Sequence, residues 1–240
     1  MPEHLECEVL QKARYLNTLT YLPTYYMYGR QLEEVTTEKD LGVVFSNDLK
    51  VAKQCEEAYS RANRILGLIN RTVRFRTPTV LVSLYKSMVR PHLENCSVVW
   101  SPHYTKDKVL LERVQHRFTR MFDDLKELPY EDRLRKLGLW SLEERRNRAD
   151  LIEIYKMIKG LSTVPWSRFF SRSENSVTRG HNWKLVKKAS RLDTHLYFFS
   201  QRSVSRWNNL MQKEVEVPSM NWFKNFLEQR RRRQMDIFMD

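Results

Sequence analysis

Asp123 and Asp124 stand side by side directly after Phe122. Adjacent carboxylates can share divalent cations, and two metals held in that way clamp the attacking and leaving oxygens of a phosphoryl transfer. Such a centre needs a third carboxylate brought rigidly beside the pair. Here the flanks carry helical periodicity and no upstream carboxylate suits the third role. The pair therefore reads as the exposed end of a helix. The six histidines offer no pair one helical turn apart with a carboxylate partner, and Cys7, Cys55 and Cys96 are too widely spaced for a zinc set. Cys55 and Cys96 fall on apolar helix faces and read as small core residues rather than nucleophiles. No metal and no cofactor is expected from these residues.

Arginine carries the stronger signal. Arg61, Arg64 and Arg71 project together from one helical segment, and Arg74 and Arg76 extend it; Arg113, Arg117 and Arg120, with His116, share a face of another. Guanidinium groups held at fixed spacing bind phosphate oxygens in pairs. Arg230, Arg231, Arg232 and Arg233 form a consecutive run, readable as a nucleic-acid contact, a nuclear localisation signal or a solvated tail. The helix faces equally admit a bland reading, a solvated charged surface supported by Glu56, Glu57 and Glu112. The charge distribution decides where a polyanion would bind. The net charge is +13, yet residues 1–50 carry 5 Lys/Arg against 8 Asp/Glu, whereas 51–160 carry 22 against 14 and 161–240 carry 15 against 7. The excess begins where the helical pattern begins, which points to nucleic acid before an anionic membrane. No apolar run is long enough to span a bilayer, and the polar, acidic first residues make no secretory signal. An intracellular protein, nuclear or cytoplasmic and not secreted, is expected, in keeping with the odd, scattered cysteines.

These residues need elements to position them. The fold class expected is mainly α with a small N-terminal antiparallel β element (α+β). Residues 1–48 read as short strands at 7–10, 25–28, 32–35 and 41–45, with a polar stretch at 36–40, forming two hairpins or one small sheet. Residues 49–160 read as helical. Asp48 is the expected N-cap of a first helix whose apolar stripe is Ala52, Cys55, Ala58, Tyr59, Ala62, Ile65, Leu66 and Ile69. Pro78 opens a second helix with Leu81, Leu84, Tyr85 and Met88 inward; Pro91 ends or kinks it, and 92–100 continues the rod. A third helix runs over 106–121 with Leu110, Val114, Phe118 and Met121 inward. A short helix lies between Pro129 and Gly138, and a capping box of Ser141 and Glu144 starts one that Gly160 closes. Residues 161–182 read as a linker or loop, and 183–240 as a basic C-terminal helical region.

Five short motifs occur in order between residues 39 and 102: Lys39-Asp40-Leu41-Gly42-Val43, Asn47-Asp48-Leu49-Lys50, Leu84-Tyr85-Lys86, Val89-Arg90-Pro91-His92-Leu93-Glu94 and Trp100-Ser101-Pro102. Further along stand Leu128-Pro129-Tyr130-Glu131-Asp132-Arg133-Leu134, Arg145-Arg146 and Asp150-Leu151-Ile152-Glu153-Ile154-Tyr155-Lys156. Together this order resembles the segment after the polymerase active site in non-LTR retrotransposon (LINE, jockey-like) reverse transcriptases, and the likeness covers about four-fifths of the chain, leaving out 11–22 and 161–180. The resemblance implies the end of a palm, a thumb-like helical bundle, and a first long helix that tracks the minor groove of an RNA–DNA or RNA duplex. It implies a catalytic centre upstream of this segment. The parent family uses Mg²⁺, but the carboxylates that hold it are not among these motifs, and Phe122-Asp123-Asp124 departs from the family's pattern, in which the aromatic residue stands two positions before the pair. The chain on its own is therefore expected to be a catalytically incomplete fragment that binds nucleic acid, with a domesticated protein-interaction or regulatory protein, or a functionless relic reading frame, as alternatives. Without the rest of a palm, Tyr25, Tyr26, Tyr28 and Val43 are expected on an exposed patch that promotes self-association.

Overall fold

The structure is a computed structural model that describes residues 26–27 and 30–31 as backbone and residues 35–173 and 180–233 in full. The strand expected at 7–10, and Cys7 with it, lies outside the described residues. Two antiparallel hairpins open the described chain, β1 (Tyr26–Met27) with β2 (Arg30–Gln31) and β3 (Thr37–Asp40) with β4 (Val43–Ser46). The second corrects the strand reading. Residues 37–40, expected as a polar connection, are themselves a strand, because Leu41 and Gly42 both adopt positive φ (48° and 86°) and turn the chain in two residues. The hairpin packs through Val43, which is buried in the core rather than lying on an exposed patch. The side chains of Tyr25, Tyr26 and Tyr28 are outside the described residues.

Asp48 does not cap the first helix. Its Oδ1 accepts from the Lys50 N–H (3.1 Å), closing a turn around Leu49 (φ 55°), and α1 (Ala52–Thr72) starts one turn later. The α1 stripe is as periodicity requires: Cys55, Ala58, Ala62, Leu66 and Ile69 are buried, and Tyr59 and Ile65 half-buried. Pro78 begins α2 (Pro78–Leu84), where its missing N–H leaves no helix bond unmade. The rod then widens into a π-helical turn (Tyr85–Val89) in which the Arg90 N–H reaches back five residues to Tyr85, and continues as α3 (Arg90–Glu94). That wider turn absorbs Pro91 and rotates the inward face. Val89 and Leu93 are consequently buried, while Met88, expected inward, is exposed. The rod does not run on to Trp100. Asn95 is extended and Cys96 left-handed (φ 53°), and a separate short helix α4 (Ser97–Trp100) follows. Cys96 is buried at this break rather than on a helix face.

Next come α5 (Thr105–Thr119), α6 (Tyr130–Leu137) and α7 (Leu142–Ile158). Gly138 (φ 61°) terminates α6 as expected. The Ser141–Glu144 capping box starts α7, and Gly160 (φ 67°) follows its last turn. Most of α7 is enclosed, polar residues included: Arg146, Asn147, Asp150 and Glu153 are all buried. The helix joins two apolar clusters. Leu142 belongs to one with α1, α2, α3 and α5; Leu151, Ile154, Tyr155 and Met157 belong to the other.

The second cluster takes in part of the stretch 161–182, expected as a linker or loop. Its described part is irregular in backbone but packed, with Val164, Phe169 and Phe170 in the core and Arg172 bridged to Leu185. Four short helices follow, α8 (Asp193–Leu196), α9 (Phe199–Arg202), α10 (Val204–Asn208) and α11 (Gln212–Val215), then the long α12 (Met220–Arg233). Phe223 of α12 stacks on Tyr155 of α7 (centroids 4.4 Å apart), and the Tyr155 hydroxyl donates to the Val217 carbonyl (2.7 Å). Among the described residues no helix is long and apolar enough to cross a membrane.

A candidate nucleic-acid interface

On α1, Arg61, Arg64, Leu68 and Arg71 follow one another at three- and four-residue steps, a stripe turned away from the buried one. They line an open groove of about 710 Å³ together with Asn63, His92 and Arg117. Arg117 belongs to α5, and its Nη1 donates to Asn63 Oδ1 (3.4 Å), which draws it against α1. One arginine of the α5 face, Arg117, thus joins the three of α1 in one concavity. Arg64 and Arg71 are exposed, whereas Arg61 is half-buried and ion-paired with Glu57. Lys39, from the β3–β4 hairpin, donates to the same carboxylate (3.0 Å); Lys39 first, and Arg61 after it, hold Glu57 below the usual carboxylate range. Arg64, Arg71 and Arg117 are the more available cations.

The other arginines divide. Arg113 and Arg120 are exposed on α5 but outside the groove. Arg74 and Arg76 are exposed on the link from α1 to α2, where Arg76 donates to the Asn70 carbonyl (2.8 Å) at the end of α1. The C-terminal run is not a uniform cationic tail. Arg230 pairs with Glu214 (2.9 Å), Arg232 lies 3.7 Å from Glu228, and Arg233 is exposed. Arg231 is buried: it donates to the Leu139 carbonyl (3.2 Å), reaches Glu144 (3.5 Å) and lies over the Trp140 ring. A side chain so enclosed is a structural anchor, which removes Arg231 from the expected binding set.

Glu112 also departs from expectation. Rather than supporting a solvated charged face, its carboxylate turns inward, accepting from the Leu142 N–H (3.0 and 3.2 Å) and the Tyr130 hydroxyl. Burial pushes its pKa up despite those donors. The charge of Arg146 acts on it in the opposite direction, and Arg146 Nη1 and Nη2 are buried with no hydrogen-bond partner among the described residues. His116, expected on the same face as the arginines, is half-buried and stacked on Tyr130 (3.6 Å), and burial lowers its pKa.

Phe122 is buried edge-on against Phe118, so the aromatic residue serves the core. Asp123 and Asp124 are exposed on a single 3₁₀ turn (Asp123–Leu125) beyond α5, with Asp123 paired to Lys126. Among the described residues no three His, Cys, Asp or Glu side chains are grouped to hold a metal ion. Burial pushes the Cys55 thiol up to about 12, which suppresses the thiolate a nucleophile needs. His92 also lines the groove. Nothing in its spacing signals this, because the rotation of its helix depends on the π turn before it.

No known protein family, curated protein or solved structure matches the chain.

Proposed function

We propose that the chain is a thumb-like, duplex-binding segment resembling the C-terminal side of non-LTR retrotransposon reverse transcriptases, and that it holds RNA–DNA hybrid or duplex RNA in the groove between α1 and α5. The observation that carries this reading is the convergence of Arg61, Arg64, Arg71 and Arg117, from two helices, on one open concave surface. Guanidinium groups along a rigid helix match the regular spacing of phosphates, and Leu68 among them offers an apolar contact for sugars. Such a surface reads backbone shape rather than base edges, as proteins do in the wide, shallow minor groove of A-form duplexes. Binding, not polymerisation, is the activity assigned, since Asp123 and Asp124 lie on an exposed turn and, among the described residues, no third carboxylate joins them in a metal-holding group.

The test is the salt dependence of binding. Each neutralised phosphate releases condensed counterions, so affinity should fall steeply with salt and vary little with sequence. Arg64→Glu with Arg71→Glu, both exposed, should weaken every duplex alike and flatten the log–log salt slope by about one unit per lost contact. Arg113→Glu with Arg120→Glu changes the net charge equally outside the groove and should do less. Equal effects from the two pairs would mean attraction to a basic body with no defined groove.

A further inference from the structure

The link between α1 and α2, residues 73–77, leaves and enters the helices in extended backbone: Val73 has ψ 112° and Thr77 ψ 144°. Pro78 enforces this at Thr77, because its ring disfavours helical backbone at the preceding residue. In the middle of the link Phe75 is 82% exposed, more than any other large apolar side chain among the described residues. Arg74 and Arg76 flank it, both exposed, and Arg76 is anchored to the Asn70 carbonyl. Arg71, in the last turn of α1, is the most C-terminal α1 residue lining the groove. The groove therefore reaches the end of α1 from which the Arg74-Phe75-Arg76 link departs. An aromatic ring in water between two cations, at the mouth of a cationic groove, has the chemistry of a base-stacking platform with phosphate contacts on either side.

We propose that Phe75 stacks on the nucleotide base exposed where a duplex held in the α1–α5 groove gives way to single strand. The proposal rests on the duplex-binding reading of that groove. Stacking uses a face that every base presents, so the contact is sequence-tolerant but selective for a junction over a blunt end.

The test separates stacking from charge. An RNA–DNA hybrid with a short single-stranded extension is compared with the same molecule lacking only the base next to the junction, so both carry the same phosphates. Titration of the full chain should show about tenfold tighter binding to the intact junction, the scale of one aromatic–base stack. Phe75→Ala should bind both molecules equally, at the affinity the wild type shows for the abasic one, with an unchanged salt slope and thermal unfolding. Phe75→Trp should keep the discrimination. Equal binding of both probes by the wild type overturns the stacking proposal, and leaves the groove reading intact if Arg64→Glu/Arg71→Glu still weakens both. Phe75→Ala weakening both probes alike also overturns it, since Phe75 would then support the surface generally. No salt-sensitive binding to either probe overturns the groove reading and the stacking proposal together.

Discussion

Gln115 is fully buried on α5, and its side-chain amide links four groups. Its Oε1 accepts the Tyr85 hydroxyl (2.8 Å), while its Nε2 donates to the Trp140 carbonyl (2.9 Å) and contacts the Tyr130 hydroxyl (3.0 Å) and Glu112 (3.3 Å). Tyr85 also stacks on Phe118 at 4.2 Å, so the ring is held on its face and at its tip. A buried polar group left without a partner costs about 1–3 kcal/mol. Gln115→Ala strands the Tyr85 hydroxyl and the Trp140 carbonyl and opens a cavity; we expect a loss of about 3–4 kcal/mol by denaturant unfolding. Tyr85→Phe strands the Gln115 oxygen alone and should cost about 1–2 kcal/mol. Equal losses would show that the Tyr85–Gln115 bond alone matters and that the contacts of the amide with Trp140, Tyr130 and Glu112 add nothing.

Helix α12 combines anchoring and solvated residues within one run of arginines. Phe223 and Leu227 are buried against the second cluster, and Arg231, one turn further on, continues that face across to Leu139, Trp140 and Glu144. Arg232 turns outward, its side chain 75% exposed. Arg231→Ala should destabilise the protein by about 2 kcal/mol, the scale of a lost hydrogen bond to a charged group. Arg232→Ala should change stability by less than about 0.5 kcal/mol, as exposed pairs do. Thermal unfolding of the two single variants checks this, and matching shifts would contradict the anchor. Reversing the whole run would mix unfolding with loss of charge, so only Arg232 and Arg233 can be altered cleanly to ask whether the tail binds nucleic acid. Along α1 the division is cleaner, with one stripe packed in the core and another turned outward.

For the molecule as a whole, pH reports on the enclosed imidazoles. Burial lowers the pKa of His103, His116 and His181 below the usual 6.5. A histidine with a lowered folded-state pKa binds fewer protons folded than unfolded, so its contribution is present above about 6.5 and is lost as pH falls through the folded value. His181 has a geometric reason: its Nδ1 accepts the Trp183 N–H (3.1 Å), leaving Nε2 to donate to the Trp207 carbonyl (3.0 Å). A proton on Nδ1 would break the first bond. Glu112, raised by burial, acts with the opposite sign above 4.5, so the difference between variants is the clean measurement. Relative to His181→Gln, the wild type should lose stability more steeply between pH 7.5 and 5. Parallel profiles would remove His181 from the acid response.

Local signals in the chain were sufficient for the start of α2 at Pro78, the Ser141–Glu144 box, the stops at Gly138 and Gly160, and the two α1 stripes. Each depends on backbone dihedrals or on hydrogen bonds within one or two turns, which neighbouring residues determine without help from the rest of the fold. The strand at residues 37–40 needed its partner, since Thr-Glu-Lys-Asp has no apolar alternation of its own. Tertiary structure alone decided that Val89 rather than Met88 faces inward, because a π turn changes the helical phase. It decided that Glu112 and Arg231 are enclosed while Arg64 and Arg71 are not. Distant segments supply the partners of these two buried charges, Leu142 for Glu112 and Leu139 for Arg231, and no periodicity encodes a neighbour 30 or 92 residues away. The same holds for the candidate site: helical spacing set out the arginines of α1, but only the packing of α5 against α1 brought Arg117 to the groove they share.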